Sequence, residues 1–361
     1  AKQGILAARM GPGPHLKNFN IIGDISWQNF TYFHEMIFHE EIATLGAPAF
    51  QDGIGTGLTI GLYPVMAFGN PAIKDRVVGE ILNGKKRICL AISEPFAGSD
   101  VANIRATARK TSDGKHYIVN AQKKWITGGH NCDYFTTACR TGSKGVGGIS
   151  MICVPRLEGV KTTRIKTSYG AAAGTTYITM ENVKVPAEYL LGKENEGFKK
   201  VIMANFNHER WMIVCSINAG LRGVVQECFK WAFQRKVYGK PLIAQPVIRQ
   251  KLAQMIELSQ SVQHWLENIT YQMTKMSYYE QTLRLAGPIA LLKEHCTNAT
   301  YTISDHACQI FGGRAITKTG MGKFIERFQR AVKYGSILGG SSEVMGDLGV
   351  RMAMKMFPKR A

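Results

Sequence analysis

From Trp27 to about Asn83, apolar residues recur at the spacing of three and four that places them along one side of a helix. Asn70-Pro71 and Asn83-Gly84 punctuate this stretch as helix breakers do. Between Arg87 and Leu191 the period shortens. Runs such as Tyr117-Ile118-Val119, Tyr134-Phe135-Thr136-Thr137, Ile149-Ser150-Met151-Ile152-Cys153-Val154 and Thr175-Thr176-Tyr177-Ile178 alternate with turn residues, among them Ser112-Asp113-Gly114 and Gly142 to Gly148. Short β-rich segments bounded by turns predict a compact β-domain. From Glu194 the helical patterns return and run to the end. The chain therefore reads as α+β in three parts: helical over 1–86, a compact β-domain over 87–192, and helical again over 193–361. Self-similarity at a fixed period is lacking, and the glycine patches are too short for linkers.

One predicted helix carries a charge on its apolar side. In Phe206-Asn207-His208-Glu209-Arg210-Trp211, helical spacing puts Ile202, Asn205, Glu209, Met212, Ile213 and Ser216 on one face. A carboxylate there either does chemistry or answers a partner, since an unpaired buried charge is expensive. The structural alternative is an ion pair with a neighbouring helix, Arg210 included.

Composition narrows the classes. A chain of 361 residues, 45% hydrophobic and 20% charged, can bury a sizeable core and falls in the ordinary globular range. Its apolar stretches break before the roughly 20 residues that cross a bilayer, so no membrane span is expected. The eight cysteines, at 89, 132, 139, 153, 215, 228, 296 and 308, have no paired or metal-ligand spacing, and read as reduced thiols of an intracellular protein with no metal site. The net charge of +19 comes from Lys and Arg spread through every segment. That spread argues against nucleic acid, which wants a basic face interleaved with aromatics. It leaves a solvated basic surface, or a field that draws in a polyanionic ligand or an acidic partner. Ala1 to Met10 reads as the end of a helix with no secretory core, which suggests a processed or truncated start; Phe357 to Ala361 does not match the peroxisomal Ser-Lys-Leu address.

Two segments speak to chemistry together. Ser93-Glu94-Pro95-Phe96-Ala97-Gly98-Ser99-Asp100 is followed by Trp125-Ile126-Thr127-Gly128-Gly129. Hydroxyls beside glycines suit a flavin, because they can bond its polar edge and pyrophosphate while the backbone comes close. Read structurally, the same residues make an ordinary turn with Trp125 in a barrel core. In this order and spacing they resemble the flavin-cradling segments of the acyl-CoA dehydrogenase family, and the resemblance runs from Lys2-Gln3-Gly4-Ile5-Leu6 to about Arg351. It implies a helical N-terminal domain, a central β-barrel and a C-terminal four-helix bundle, binding FAD in a homo-oligomer, either tetramer or dimer. By matching positions, Ser93 and Thr127 contact the flavin ring, Trp125 lies against it, and Ser99 meets phosphates of cofactor or substrate.

Further matches extend this. Arg235-Lys236-Val237-Tyr238-Gly239-Lys240 is similar to the family's Arg-x-Thr/Ala-Phe-Gly turn, and Gln309-Ile310-Phe311-Gly312-Gly313 to its Gln-x-x-Gly-Gly turn. The resemblance implies that Arg235, Tyr238, Gln309, Gly312 and Gly313 reach the pyrophosphate and adenosine half of a flavin held mainly by the neighbouring subunit. Standing alone, Gly312-Gly313 reads as a helix C-cap. In most straight-chain members a glutamate precedes a Gly-Thr or Gly-Ser pair near the C-terminus; here Ile337-Leu338-Gly339-Gly340-Ser341-Ser342-Glu343 has Gly339 at that position, with Ser341 and Glu343 expected on the cofactor. Isovaleryl-CoA and long-chain members instead carry the base on the bundle helix, directly before an arginine. Glu209-Arg210 reproduces that arrangement. The resemblance thus makes Glu209 the catalytic base, the Gly339 amide a donor to the thioester oxygen, and Arg210 a structural or coenzyme A contact.

Several positions depart from the family pattern: Ala172 and Gly174 where a basic and a polar side chain are usual, Val237 for a common Thr, Ala331 for Asp, and Leu338 for Tyr. The expected reaction is dehydrogenation of an acyl-CoA to a trans-2-enoyl-CoA, with Glu209 taking the α-proton, flavin N5 the hydride, and an electron-transfer flavoprotein the electrons. Two alternatives stand beside it: an oxidase that uses oxygen, and a noncatalytic scaffold paralogue. The expected location is the mitochondrial matrix or peroxisome in a eukaryote and the cytoplasm in a bacterium.

Overall fold

The computed structural model describes residues 3–358; Ala1, Lys2 and residues 359–361, which include part of the resemblance's first motif and most of the C-terminal pentapeptide, lie outside them. The longer helices are α1 (Tyr32–Thr44), α2 (Gly57–Phe68), α3 (Met203–Gln234), α4 (Pro246–Lys275), α5 (Ala286–Phe311), α6 (Lys323–Ile337) and α7 (Ser342–Met356). The chain divides into two compact units. One holds Ala1–Phe30 with Ala49–Glu209, the other Thr31–Pro48 with Arg210–Ala361.

The first unit is built on a central β domain of β1 (Ile88–Ala91), β2 (Thr107–Lys110), β3 (His116–Ile126), β4 (Tyr134–Arg140), β5 (Ile149–Pro155), β6 (Val160–Arg164), β7 (Thr176–Pro186) and β8 (Leu190–Leu191). They form one mixed sheet in the order β6-β7-β3-β2-β4-β5-β8, with β1 parallel to β4. β4 and β5 are buried almost end to end, so they show near-continuous apolar runs rather than alternation. β3 does alternate: Tyr117, Val119, Ala121 and Lys123 point inward. Helix α2 crosses β1 closely, because Gly61 has no side chain where a Cβ would come within 2.6 Å of the Cys89 carbonyl carbon. The Thr136 hydroxyl donates to the Gly61 carbonyl at 2.7 Å and ties β4 to the same spot. At the predicted break, the Asn70 side chain accepts from the Ile73 amide and Pro71 takes the first helical position, an ordinary helix start.

In the second unit α5 is the central helix. Its buried Ile289, Leu292, Cys296, Ile303 and Ala307 face α4, α6 and α7. On α4, Leu252, Met255, Val262, Leu266, Ile269 and Met273 recur at three- and four-residue steps and form the matching stripe. Trp211 is fully buried; its indole N–H donates to the Thr270 hydroxyl at 2.9 Å, and Tyr32 of α1 meets it edge-on. An ion pair joins α1 to α3 here, Arg222 to Glu40 at 2.8 Å.

Candidate active site

In the first unit, Ser93 follows β1 and Trp125 lies at the end of β3, and the structure brings the two segments together. The Lys124 amide donates to the Ser93 carbonyl at 2.9 Å. The β3–β7 register slips between Lys123 and Ile126, and in that bulge Trp125 adopts φ +68°. A bulge re-aims a side chain, and the indole here stands 55% exposed rather than in the sheet's core. The Lys124 ammonium sits 4.7 Å from the ring centre. Left-handed backbone at a bulky residue costs about 1–2 kcal/mol and persists only where its surroundings hold it.

The rest of the predicted cradle is adjacent. Thr127 is buried, and Gly128 (φ +72°) donates its amide to the Ala173 carbonyl at 2.9 Å. A Cβ at Gly98 or Gly128 would meet nothing, so the main chain is open to an approaching ligand at both points. Ser99 is exposed beside Gly98. The altered Ala172 and Gly174 flank Ala173, whose carbonyl holds Gly128, so the substituted turn packs against the predicted flavin segment.

Glu94, between these landmarks, is buried. Its Oε1 accepts from Lys123 Nζ at 2.8 Å and from the Ala106 amide at 3.0 Å, and its Oε2 from the Arg105 amide at 2.6 Å. Burial pushes the Lys123 ammonium below its ordinary pKa, while Cys139 and Glu94 oppose the shift. Sequence reasoning missed Lys123. The signal was its place on β3, two residues after Ala121 on the inward-facing side.

Glu209 is 5% exposed. The expected stripe is buried at Ile202, Asn205, Met212 and Ile213, and the burial extends round the helix to His208, Arg210 and Trp211. Asn205 donates to the Ile60 carbonyl at 3.0 Å, and His208 stacks on Tyr63, so the turn that carries Glu209 is fixed within the first unit.

In the second unit, Arg210 Nε donates to the Gly339 carbonyl at 3.0 Å, and the fully buried Lys293 donates to the next carbonyl, that of Gly340, at 2.6 Å. Two cations thus clamp consecutive carbonyls of one turn. Gly339 has φ +68° and Gly340 φ +114°, conformations that glycine adopts without penalty. Ser341 serves as the N-cap of α7, accepting from the Val344 amide, and a backbone amide, with the Ser341 hydroxyl second to it, holds the exposed Glu343 carboxyl below the usual range. Lys293 was also missed; an isolated Lys in a helical pattern carries no signal of the turn it reaches.

Arg235 and Tyr238 belong to a tight hairpin, in which Lys236-Val237 pairs with Lys240-Pro241. Tyr238 and Gly239 form its turn with φ +47° and +77°, and Tyr238 is 97% exposed. The Gln309 to Gly313 turn lies beside it. Trp231, whose carbonyl accepts the Arg235 amide, donates to the Ile310 carbonyl at 3.2 Å and stacks on Phe311 at 5.4 Å. The Arg314 guanidinium lies 4.8 Å from the same indole. Gly312 does end α5 as a C-cap, and it and Gly313 are open to solvent.

The exposed Trp125 and the open turns at Gly98 and Gly128 give the β domain an accessible face that a flat cofactor can approach. Comparison with known proteins supplies the class. Residues 89–183 match the acyl-CoA dehydrogenase middle domain and 195–354 the acyl-CoA dehydrogenase C-terminal domain. The chain is 38% identical over 340 residues to the acyl-CoA dehydrogenase apdG of Emericella nidulans, which covers 94% of this chain and 77% of the relative. It is 33% identical to the acyl-CoA dehydrogenase AFT10-1 of Alternaria alternata, over 98% and 83%. The crystal structure of a probable acyl-CoA dehydrogenase from Mycobacterium abscessus superposes with a TM-score of 0.83 at 28% identity, over 97% of this chain and 89% of that one. The chain belongs to the acyl-CoA dehydrogenase family, an oxidoreductase family that uses FAD. No described helix is long and apolar enough to cross a membrane.

Proposed function

We propose that this protein oxidises an acyl-CoA thioester to the trans-2-enoyl-CoA, with Glu209 as the α-proton acceptor in the manner of isovaleryl-CoA and long-chain members. The observation that carries the reading is a buried carboxylate at Glu209, directly before an arginine that secures the Gly339 turn. A base at 339 would need a glutamate at φ +68°, which disfavours it by about 1–2 kcal/mol. The backbone therefore supports glycine at that position and the base elsewhere. Burial suits a general base, because desolvation raises a carboxylate's proton affinity toward what an α-proton requires.

The residues present fit FAD. The exposed Trp125 offers a flat face, Ser93 and Thr127 offer hydroxyls, and the space at Gly98 and Gly128 admits close approach by the ring and phosphates. Arg235 supplies a permanently charged fork for the pyrophosphate of a flavin held mainly by the neighbouring subunit, and Tyr238, Gln309, Gly312 and Gly313 serve the same half of that flavin. Bound FAD supplies the two-electron acceptor for the hydride that leaves the β-carbon. As the α-proton moves to the Glu209 carboxylate, the Gly339 amide donates to the thioester oxygen, where negative charge gathers. Arg210 and Lys293 keep the turn that carries this amide from drifting. An electron-transfer flavoprotein would be the partner that takes up the electrons. By the same family resemblance the protein is a homo-oligomer, either tetramer or dimer.

An anaerobic titration tests this function: purified yellow protein is mixed with a panel of acyl-CoA thioesters. Bleaching of the flavin absorbance by at least one thioester, with formation of its enoyl-CoA, is expected. A protein that binds FAD yet is bleached by none refutes the activity, and stoichiometric peroxide with turnover in air transfers it to the oxidases.

A further inference from the structure

The buried ion pair between Lys123 and Glu94 plays no part in the reaction above. Their side chains are 0% and 2% exposed, and the contact is 2.8 Å. Lys123 Nζ also donates to the Ile92 carbonyl at 2.8 Å, while Glu94 accepts the Arg105 and Ala106 amides. The pair therefore ties the end of β1, the approach to β2 and the last regular residue of β3 to one another. Ser93 is the residue before Glu94, and Trp125 lies two beyond Lys123, in the bulge. Exchanging a buried ion pair for apolar residues is often neutral for stability. Geometry is the other quantity such a pair can fix.

We infer that Lys123 and Glu94 act as a positioning pair for the flavin-ring end of the site: they hold Ser93 and the strained Trp125 in binding geometry before the cofactor arrives. The inference rests on the reading of Ser93 and Trp125 as flavin contacts. Three features support it. The ammonium binds the carbonyl next to Ser93 in the chain; the carboxylate is held by two further amides, so it cannot swing away; and the Lys124 amide bonds Ser93 itself. By the same reading Arg235 and Gly312 serve the adenosine half of a flavin held mainly by the neighbouring subunit, so the pair is expected to act on the ring end alone.

The test measures FAD binding to flavin-stripped full-length protein by fluorescence quenching, with ADP as a competing probe of the adenosine end. In the double variant Lys123→Met with Glu94→Gln, FAD should bind about tenfold or more weakly while ADP changes by less than about twofold. A parallel loss of FAD and ADP affinity means general loosening and overturns the inference, as does unchanged FAD affinity. Should the double variant not fold, Glu94→Gln alone, which keeps size and one amide acceptor, must show the same selective pattern. Trp125→Ala and Ser93→Ala separate the two claims. If they weaken FAD binding and the pair variants do not, the positioning role fails alone; if they leave FAD binding at the parent value, the contact reading fails and the pair's role falls with it.

Discussion

Trp125 trades backbone comfort for an exposed ring. Its φ of +68° stores about 1 kcal/mol or more, which glycine would release. Trp125→Gly should therefore leave the urea midpoint of the flavin-free protein unchanged or slightly raised, since an exposed indole contributes little burial, while FAD affinity falls. A clear drop in that midpoint would show the ring to be structural. Tyr32 tests the second unit: burial pushes its phenol from 10.0 up to about 12, the Gln281 hydrogen bond opposing and Glu35 adding to the rise. A raised folded-state value means that the unfolded chain loses the proton first, so this stability is intact below pH 10 and is lost as pH climbs towards 12. The contribution is about 2–3 kcal/mol, and Tyr32→Phe should flatten that part of the alkaline unfolding profile. At this scale the sequence was informative where a residue broke a pattern visibly. Glu209 interrupts an apolar stripe, whereas Lys123 sits in Gln122-Lys123-Lys124, a polar run whose inward member is marked only by the alternation from Tyr117, Val119 and Ala121.

At the scale of elements, packing distances matter more than propensity. A Cβ at Gly61 would lie 2.6–2.9 Å from three main-chain atoms of Cys89, none of which can rotate aside. Gly61→Ala should cost at least about 2 kcal/mol by forcing α2 off β1, read as a lower melting temperature with an unchanged flavin spectrum if FAD stays bound. A cost below about 0.5 kcal/mol, the size of a surface change, would contradict that packing. The buried runs that became β4 and β5 were legible because strands covered on both faces are rich in apolar and β-branched residues without strict alternation. β2, β6 and the hairpin at Lys236 were not, since short polar strands look like loops until a neighbour pairs with them. The Gly339 turn was legible as a missing glutamate. Its clamp by Arg210 and Lys293 was not, because the contacts join residues far apart in sequence.

At the scale of the whole molecule, three stretches of pattern build two compact units: Tyr32–Thr44 folds with the helices that follow Arg210. Linear order does not disclose such a pairing, since α1 meets α3 and α4 through tertiary contacts such as Tyr32 with Trp211. The net charge of +19 acts over the same range. If the basic field draws in polyanionic coenzyme A, KM for an acyl-CoA should rise several-fold from low to physiological ionic strength while kcat stays level. A salt-independent KM would leave the charge as surface solvation alone.

The central claim is that the proton leaves the α-carbon for Glu209. Its most direct measurement is the rate of flavin bleaching on rapid anaerobic mixing with a substrate acyl-CoA, for the parent and for Glu209→Gln at equal FAD content. General-base loss predicts a fall of about 10²–10⁴-fold, with acyl-CoA still bound. Bleaching within threefold of the parent rate would contradict the assignment and send the search for the base to another residue.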